Sequence, residues 1–373
     1  MTKKQGVGII GAGNISAAYL KLSPNFVGIE VRAVADINVD AAKARAEEFG
    51  VRAETVDGLL ASDDISIVIN LTIPAAHFEV SKRILEAGKH VYSEKPYVLS
   101  LEEGSELAKI AGANNLRIGS APDTFMGGAH QHVRHMIDQG LLGTITSGTA
   151  FVMGHGMEDW HPNPDFFYQP GAGPILDIGP YYVTNLVQLL GAVKRVGAIT
   201  STPSSERLIT SEPRNGETIP VDTPTTIHSI LEFVSGAVIS LVTSWDVWEH
   251  THSNMELYGT QGTVHVPDPN FFGGDVRITK RGEAIELPGG WEHPFAIAND
   301  GENANYRCAG LSDMAVAITQ GRAHRCSQEL ALHVVEVMTS ILSSGEKGQF
   351  IEMTTSCERP APLNPSQAKE LLA

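Results

Sequence analysis

From residue 6 to about residue 120, short and nearly continuous apolar runs alternate with stretches whose apolar residues recur every three or four positions. The runs at 6–10, 30–35, 67–71, 90–93 and 117–119 read as strands, and the stretches at 15–22, 40–49, 77–87 and 101–111 as helices. Strands that are apolar on both faces belong to a parallel sheet covered on both sides, so an α/β, doubly wound sheet is expected. Such sheets bind ligands at the carboxyl ends of their strands.

Past Pro122 the rhythm changes. A helix at 126–139 leads into strands at 144–153, 227–233, 237–244 and 255–258, with further helices at 175–190, 303–319 and 328–342. Ser235-Gly236 separates two of these strands, as a hairpin turn would. A second, α+β domain with a mostly antiparallel sheet is expected, which divides the chain into 1–122 and 123–373. The stretch 201–224, with its Pro, Ser, Thr and Glu, is expected to be an exposed excursion, and the proline-rich 358–365 a surface tail.

A length of 373 residues agrees with two domains. A formal net charge of −16 argues against nucleic acid or anionic membrane as a general partner, since both need basic patches. Cys308, Cys326 and Cys357 are odd in number and lack metal-ligand spacing, so they read as reduced thiols. Met1-Thr2-Lys3-Lys4-Gln5 passes directly into a short strand, and no membrane-spanning apolar stretch follows. The expected location is the cytoplasm.

Gly11-Ala12-Gly13-Asn14-Ile15-Ser16 follows the first strand and opens the first helix. It is the G-x-G-x-x-G dinucleotide fingerprint with serine in third place: Gly11 permits a tight turn, and Gly13 lets backbone approach a pyrophosphate at the helix N-terminus. A glycine turn before a helix is also an ordinary tight connection. Asp36 makes the difference, because it ends the second strand where a carboxylate accepts hydrogen bonds from ribose hydroxyls and repels a 2′-phosphate. Ile37 follows it, not an arginine. A Rossmann domain with NAD as cofactor is therefore expected; the alternative for Asp36 is a helix N-cap, for which Asp40 lies nearer.

Ser93-Glu94-Lys95-Pro96, Leu71-Thr72-Ile73-Pro74-Ala75-Ala76-His77 and Gly171 to Tyr181 (GAGPILDIGPY) resemble signatures of the Gfo/Idh/MocA family, named for glucose-fructose oxidoreductase and inositol dehydrogenase. The resemblance extends to Gly310-Leu311-Ser312-Asp313-Met314. It implies a Rossmann domain followed by a domain with a large open-faced sheet that forms the substrate pocket and the interface of a homodimer or homotetramer. It also implies an NAD-dependent dehydrogenase acting on a secondary alcohol carbon of a sugar, cyclitol or sugar derivative, without a metal. An isomerase, epimerase or lyase using bound NAD for transient oxidation is the second reading. A non-catalytic dinucleotide sensor is the third, against which Lys95 and Tyr181 together speak.

Hydride transfer from an alcohol needs a group to take the hydroxyl proton. Lys95 stands at the carboxyl end of a strand, where the nicotinamide is expected, and burial beside a cationic ring would lower its pKa. As the ammonium it would instead stabilise a developing alkoxide. The resemblance implies a cis peptide at Pro96 that aims Lys95. Asp177 and Tyr181, four residues apart on one helix face, complete the candidate catalytic set. Tyr181 stands where the family's usual pattern has histidine, so proton transfer is open between Lys95 and Tyr181. Asp177 either orients Lys95 or the substrate, or is a helix-start carboxylate. Expected cofactor contacts are Gly11, Gly13, Asn14, Ile15, Asp36, Thr72, Pro74, His77, Glu94 and Lys95, although His77 is equally a capping or packing residue.

Substrate-side candidates are Lys95, Asp123, His155, Trp160, His161, Tyr168, Asp177 and Tyr181, since aromatic faces stack on sugars and histidines hydrogen-bond hydroxyls. Phe166 and Phe167 read as core, whereas Trp245, Trp248, His250, His252 and His293 have no spacing logic to rank them. His130-x-His132-x-x-His135 reads as a solvated helix face, because only two of its members share a side and no carboxylate completes a metal set.

Overall fold

The computed structural model describes residues 4–373; Met1 to Lys3, where the reading of the N-terminus begins, lie outside the described residues. The first sheet comprises β1 (Gln5–Ile10), β2 (Ile29–Ala35), β3 (Arg52–Glu54), β4 (Ile67–Asn70), β5 (His90–Ser93) and β6 (Ile118–Ser120), all parallel, in the order β3-β2-β1-β4-β5-β6. Helices α1 (Asn14–Leu22), α2 (Val39–Phe49), α3 (Val56–Ala61), α4 (His77–Glu86) and α5 (Leu101–Ala113) connect them. Val7, Ile9, Ile67, Val68, Ile69 and Val91 are fully buried, which explains the continuous apolar runs. Strand order reverses between β1 and β4, and the crevice there is where a doubly wound sheet takes its ligand.

The second half contains α6 (Gly128–Asp138), β7 (Ile145–Met153), α7 (Pro174–Asp177), α8 (Gly179–Leu190), β8 (Val193–Ser201), β9 (Glu206–Leu208), β10 (Thr218–Pro220), β11 (Thr226–Phe233), β12 (Val238–Ser244), β13 (Met255–Gly259), β14 (Gly262–Val266) and β15 (Arg277–Lys280). It ends with α9 (Ala309–Gln320), α10 (Gln328–Lys347), β16 (Ile351–Glu352) and α11 (Pro365–Leu371). Eight strands in the order β15-β14-β13-β7-β12-β11-β8-β16 make a mixed sheet, antiparallel except for β7 beside β12. Every residue of α8 is buried, and α10 packs against both α8 and β8. Ile199, Ile230 and Val238 lie exposed on the sheet's open face.

Three expectations gain detail. The stretch 201–224 is largely exposed, as expected, but ordered: it holds the β9–β10 hairpin, and Ile209, Ile219 and Val221 pack with Tyr168 and Trp245 in a small core of their own. The tail 358–365 is clamped, because Arg325 donates to the carbonyls of Ala361 and Pro362 and Leu363 is buried. The face bearing His132 and His135 is in part open to solvent, as expected, with His135 exposed, His132 half-buried and both rings stacked on Trp291, while buried His130 has its Nε2 2.8 Å from the Phe271 carbonyl oxygen. All three cysteines are free thiols.

Candidate active site

The loop from β1 to α1 is shaped by its two glycines in different ways. Gly11 has φ +109°, and a Cβ there would stand 2.6 Å from the carbonyl carbon and oxygen of Leu71, so only glycine fits. A Cβ on Gly13 would meet nothing within 4 Å, so open space lies against this loop. No side chain caps α1 and its first turn, with Asn14 and Ile15, has no acidic residue, which leaves free N–H groups and the positive helix end to an anion. Asp36 Oδ2 accepts from the Ala12 N–H at 2.7 Å and Oδ1 from the Asn38 N–H at 2.8 Å, tying the end of β2 to the glycine loop. Asn38, not Asp36 or Asp40, caps α2. Ile37, next to Asp36, is 97% exposed and carries no charge, while Arg45 donates to the Gly13 carbonyl at 3.5 Å. The open space, the uncapped helix and the carboxylate fit a pyridine dinucleotide without a 2′-phosphate.

Beyond β4, the Thr72 N–H and Oγ1 both donate to Asn70 Oδ1, at 3.2 and 2.7 Å. Pro74 opens a single short turn, Pro74–Ala76, before α4. His77 takes the packing role that the sequence allowed it beside a cofactor contact. It is buried, with Nδ1 2.7 Å from the Pro96 carbonyl oxygen and Nε2 3.0 Å from that of Thr72. The ring is a strut between the loops after β4 and β5; burial lowers its pKa despite these bonds.

At the end of β5 the Lys95–Pro96 peptide is cis. Lys95 Nζ donates to Asp177 Oδ1 and to the Asp177 carbonyl oxygen, each at 2.8 Å, and lies 5.4 Å from the centroid of the Tyr181 ring. The helix expected over 175–190 is broken at Ile178, and the Tyr181 N–H bonds to the Ile178 carbonyl. That break leaves the Asp177 carbonyl to Lys95. The side chains of Lys95 and Asp177 are 18% and 20% exposed, so the pair is reachable. Burial alone would lower the Lys95 pKa, but Asp177, Tyr181 and Glu94 outweigh it and hold the ammonium above its ordinary value. In the protein itself the expected lowering is therefore reversed.

Glu94, expected at the cofactor, is an anchor behind Lys95 whose carboxylate is taken up by protein donors. Its Oε1 accepts from Tyr19 Oη and Arg307 Nη1, both at 2.9 Å, and Oε2 from the Lys95 N–H at 3.0 Å. Burial would raise its pKa, but Arg307 and Lys95 hold it below its usual range. Arg307 and Tyr19 were not among the sequence candidates: neither lies in a motif, and only the fold brings them to Glu94. Asp123 also leaves the substrate set. It is buried, its Oδ2 accepts from the Cys308 and Gly310 N–H groups at 3.1 and 3.0 Å, and burial pushes its pKa up to about 6.

The pocket-edge candidates divide. The His155 ring stacks on Trp248 with centroids 3.4 Å apart, and Trp160 is 62% exposed with its ring edge-on to His161. Tyr168 is overturned as a substrate contact: it is buried, donates its hydroxyl to Glu158 and packs against Trp245. His293 is buried and bonded to backbone at both ring nitrogens. Among the described residues no group of three or more His, Cys, Asp or Glu gathers as a metal site, and no helix is long and apolar enough to cross a membrane.

Two family models match, the NAD-binding Rossmann fold of the Gfo/Idh/MocA oxidoreductases over residues 5–121 and the C-terminal domain of the same family over 130–265. The chain belongs to the Gfo/Idh/MocA oxidoreductase family. Among curated members, a dTDP-3,4-didehydro-2,6-dideoxy-alpha-D-glucose 3-reductase of Actinomadura kijaniata is 34% identical over 52% of this chain and 58% of its own length. The chain spans about half the length of the next two relatives, 48% and 49%, both uncharacterized oxidoreductases of Schizosaccharomyces pombe. Levoglucosan dehydrogenase of Pseudarthrobacter phenanthrenivorans is 27% identical over 69% of this chain and 72% of its own length. Solved Gfo/Idh/MocA-like folds include a levoglucosan dehydrogenase in complex with NADH (TM-score 0.79, 22% identity, 95% of this chain and 100% of that one). Another is an aldose-aldose oxidoreductase of Caulobacter crescentus (TM-score 0.78, 20% identity, 94% and 100%).

Proposed function

We propose that the chain is an NAD-dependent oxidoreductase that moves a hydride between nicotinamide and a secondary alcohol carbon of a sugar-type substrate. The observation that carries this reading is the Lys95 ammonium held by Asp177 over the face of Tyr181, at the carboxyl edge of the dinucleotide-binding sheet. NAD, when bound, supplies the hydride acceptor or donor. Gly11, Gly13, Asn14 and Ile15 would hold its pyrophosphate and Asp36 its ribose, with Thr72 and Pro74 lining the crevice. Lys95 donates a hydrogen bond to the substrate oxygen and stabilises the negative charge that builds there. In the reductive direction its proton passes to that oxygen and Tyr181 relays a replacement from solvent; in the oxidative direction the same path runs in reverse, from the hydroxyl to Lys95 and out through Tyr181. Asp177 keeps the ammonium charged and aimed.

The named relatives that act on sugars support the substrate class. The three unpaired cysteines fit a reducing, cytoplasmic setting. The open face of the eight-stranded sheet, with Ile199, Ile230 and Val238 exposed, fits a homodimer or homotetramer interface. The test is NADH absorbance over a library of sugars and polyols with purified protein. Turnover that accumulates NADH and is lost in Lys95→Ala, with NAD binding retained, supports the reading. Lys95→Ala turning over at the wild-type rate overturns it, and turnover without net NADH points to an isomerase, epimerase or lyase.

A further inference from the structure

We propose that the substrate is an uncharged carbohydrate of more than one ring, a glycoside or disaccharide whose outer ring lies on Trp248. This deepens the reading of the Lys95 site and rests on it.

The first argument is position. Strands β7 and β12 run parallel and end side by side at Met153 and Ser244. The loops that leave them are tied together, since the Gly154 N–H bonds to the Ser244 carbonyl at 2.9 Å and the Val247 N–H to the Gly154 carbonyl at 3.0 Å. Helix α7, which carries Asp177, packs on β12, and Gly173 just before it stands against Thr223 and Pro224. Those two precede β11, whose Thr226 pairs with Ser244. His155 and Trp248 therefore rise from the same strand ends that the Asp177 segment meets.

The second argument is the indole. Trp248 is 82% exposed, yet its ring is held by the stacked His155 imidazole at an interplanar angle of 18°. The imidazole lies against part of one face and the rest of the ring is open. A flat, pre-set aromatic surface suits the C–H face of a pyranose, and holding it in place lowers the entropy lost when a ring binds.

The third argument is charge. Arg207 binds both Glu158 and Asp246, and Arg214 binds both Asp165 and Glu217. Both arginines of this wall are thus already neutralised, while exposed Asp159 and Glu249 add negative charge. A phosphate or nucleotide on the sugar would meet repulsion with no cation to receive it. The two relatives whose names specify sugars therefore part company here: this wall suits a neutral sugar, not a dTDP-linked one.

The experiment compares kcat/KM, with NAD, for one reacting sugar presented as the monosaccharide, as a disaccharide or aryl glycoside, as the 1-phosphate and as the dTDP derivative. The glycoside is expected to be the best substrate. In Trp248→Ala the ratio of glycoside KM to monosaccharide KM is expected to rise about three- to tenfold and to return in Trp248→Phe, as loss and restoration of one aromatic contact would give. Preference for the phosphate or nucleotide sugar, or an unchanged ratio in Trp248→Ala, overturns the proposal and leaves the Lys95 reading intact. Absence of turnover on all four, with NAD bound normally, overturns both.

Discussion

Lys95, in the site, and Asp123, buried behind it, each have predictable pH behaviour. Lys95 is held as an ammonium chiefly by Asp177, which overcomes the burial that would lower its pKa. Replacing Asp177 by Asn removes that support, so the alkaline fall in reductive activity is expected at lower pH in Asp177→Asn than in the wild type. A shifted pH–rate profile checks this; an unmoved alkaline limb would mean that Asp177 only packs. Asp123 is shifted in the same direction, but by burial itself. Burial lifts its folded-state pKa to about 6, above the unfolded carboxylate value, so the folded protein binds more protons between those two values. Its contribution is full below about pH 4 and is lost as pH rises through about 6, a change of about 3 kcal/mol. Urea unfolding of wild type and Asp123→Asn from pH 4 to 7 should show the difference in stability falling by about that amount.

The glycine loop is the element in which fold and ligand requirements separate most cleanly. Gly11→Ala would force a Cβ against the Leu71 backbone at a positive φ, and is expected to cost roughly 2–4 kcal/mol of stability. Gly13→Ala meets nothing in the protein, so stability should change by less than about 0.5 kcal/mol. The same methyl would occupy the open space above the loop, and NAD affinity should fall about tenfold or more. Thermal unfolding and NAD titration of the two variants check both halves. This loop was legible in the sequence because glycine spacing, a preceding apolar run and a following amphipathic run all point one way. So were β5 and the Glu-Lys-Pro turn. Strand β8 was not legible, since Lys194-Arg195 and Gly197-Ala198 break its alternation; nor was edge strand β3, whose Arg-Ala-Glu carries no apolar run. The buried partners of His77, Glu94, Asp123 and Tyr168 were not legible for one reason. A motif shows which residues gather near a site, but not which way a side chain turns once buried partners claim it.

At the scale of the molecule, the division at 122/123 marks where the chain leaves the parallel sheet, but the packing does not respect it. Helix α9 packs on β2 and β6, and α10 on α5 and β6. The Ser120 N–H bonds to the Cys326 carbonyl at 3.1 Å, and the Val27 N–H to that of Leu371 at 2.9 Å. One core cluster runs from Val7 through Tyr182 to Leu371. Removing residues 123–373 would uncover apolar surface on Phe26, Ile29 and Tyr92, all buried within that cluster. The isolated segment 1–122 is accordingly expected to lack fixed tertiary packing, with weak near-ultraviolet dichroism and no cooperative melt. The full chain is expected to unfold in a single calorimetric transition, with van't Hoff and calorimetric enthalpies in agreement. Two separated transitions would mean that the returning C-terminal helices do not couple the sheets. The relative placement of Lys95, on the first sheet, and Tyr181, on α8, would then depend on some other contact than this shared core.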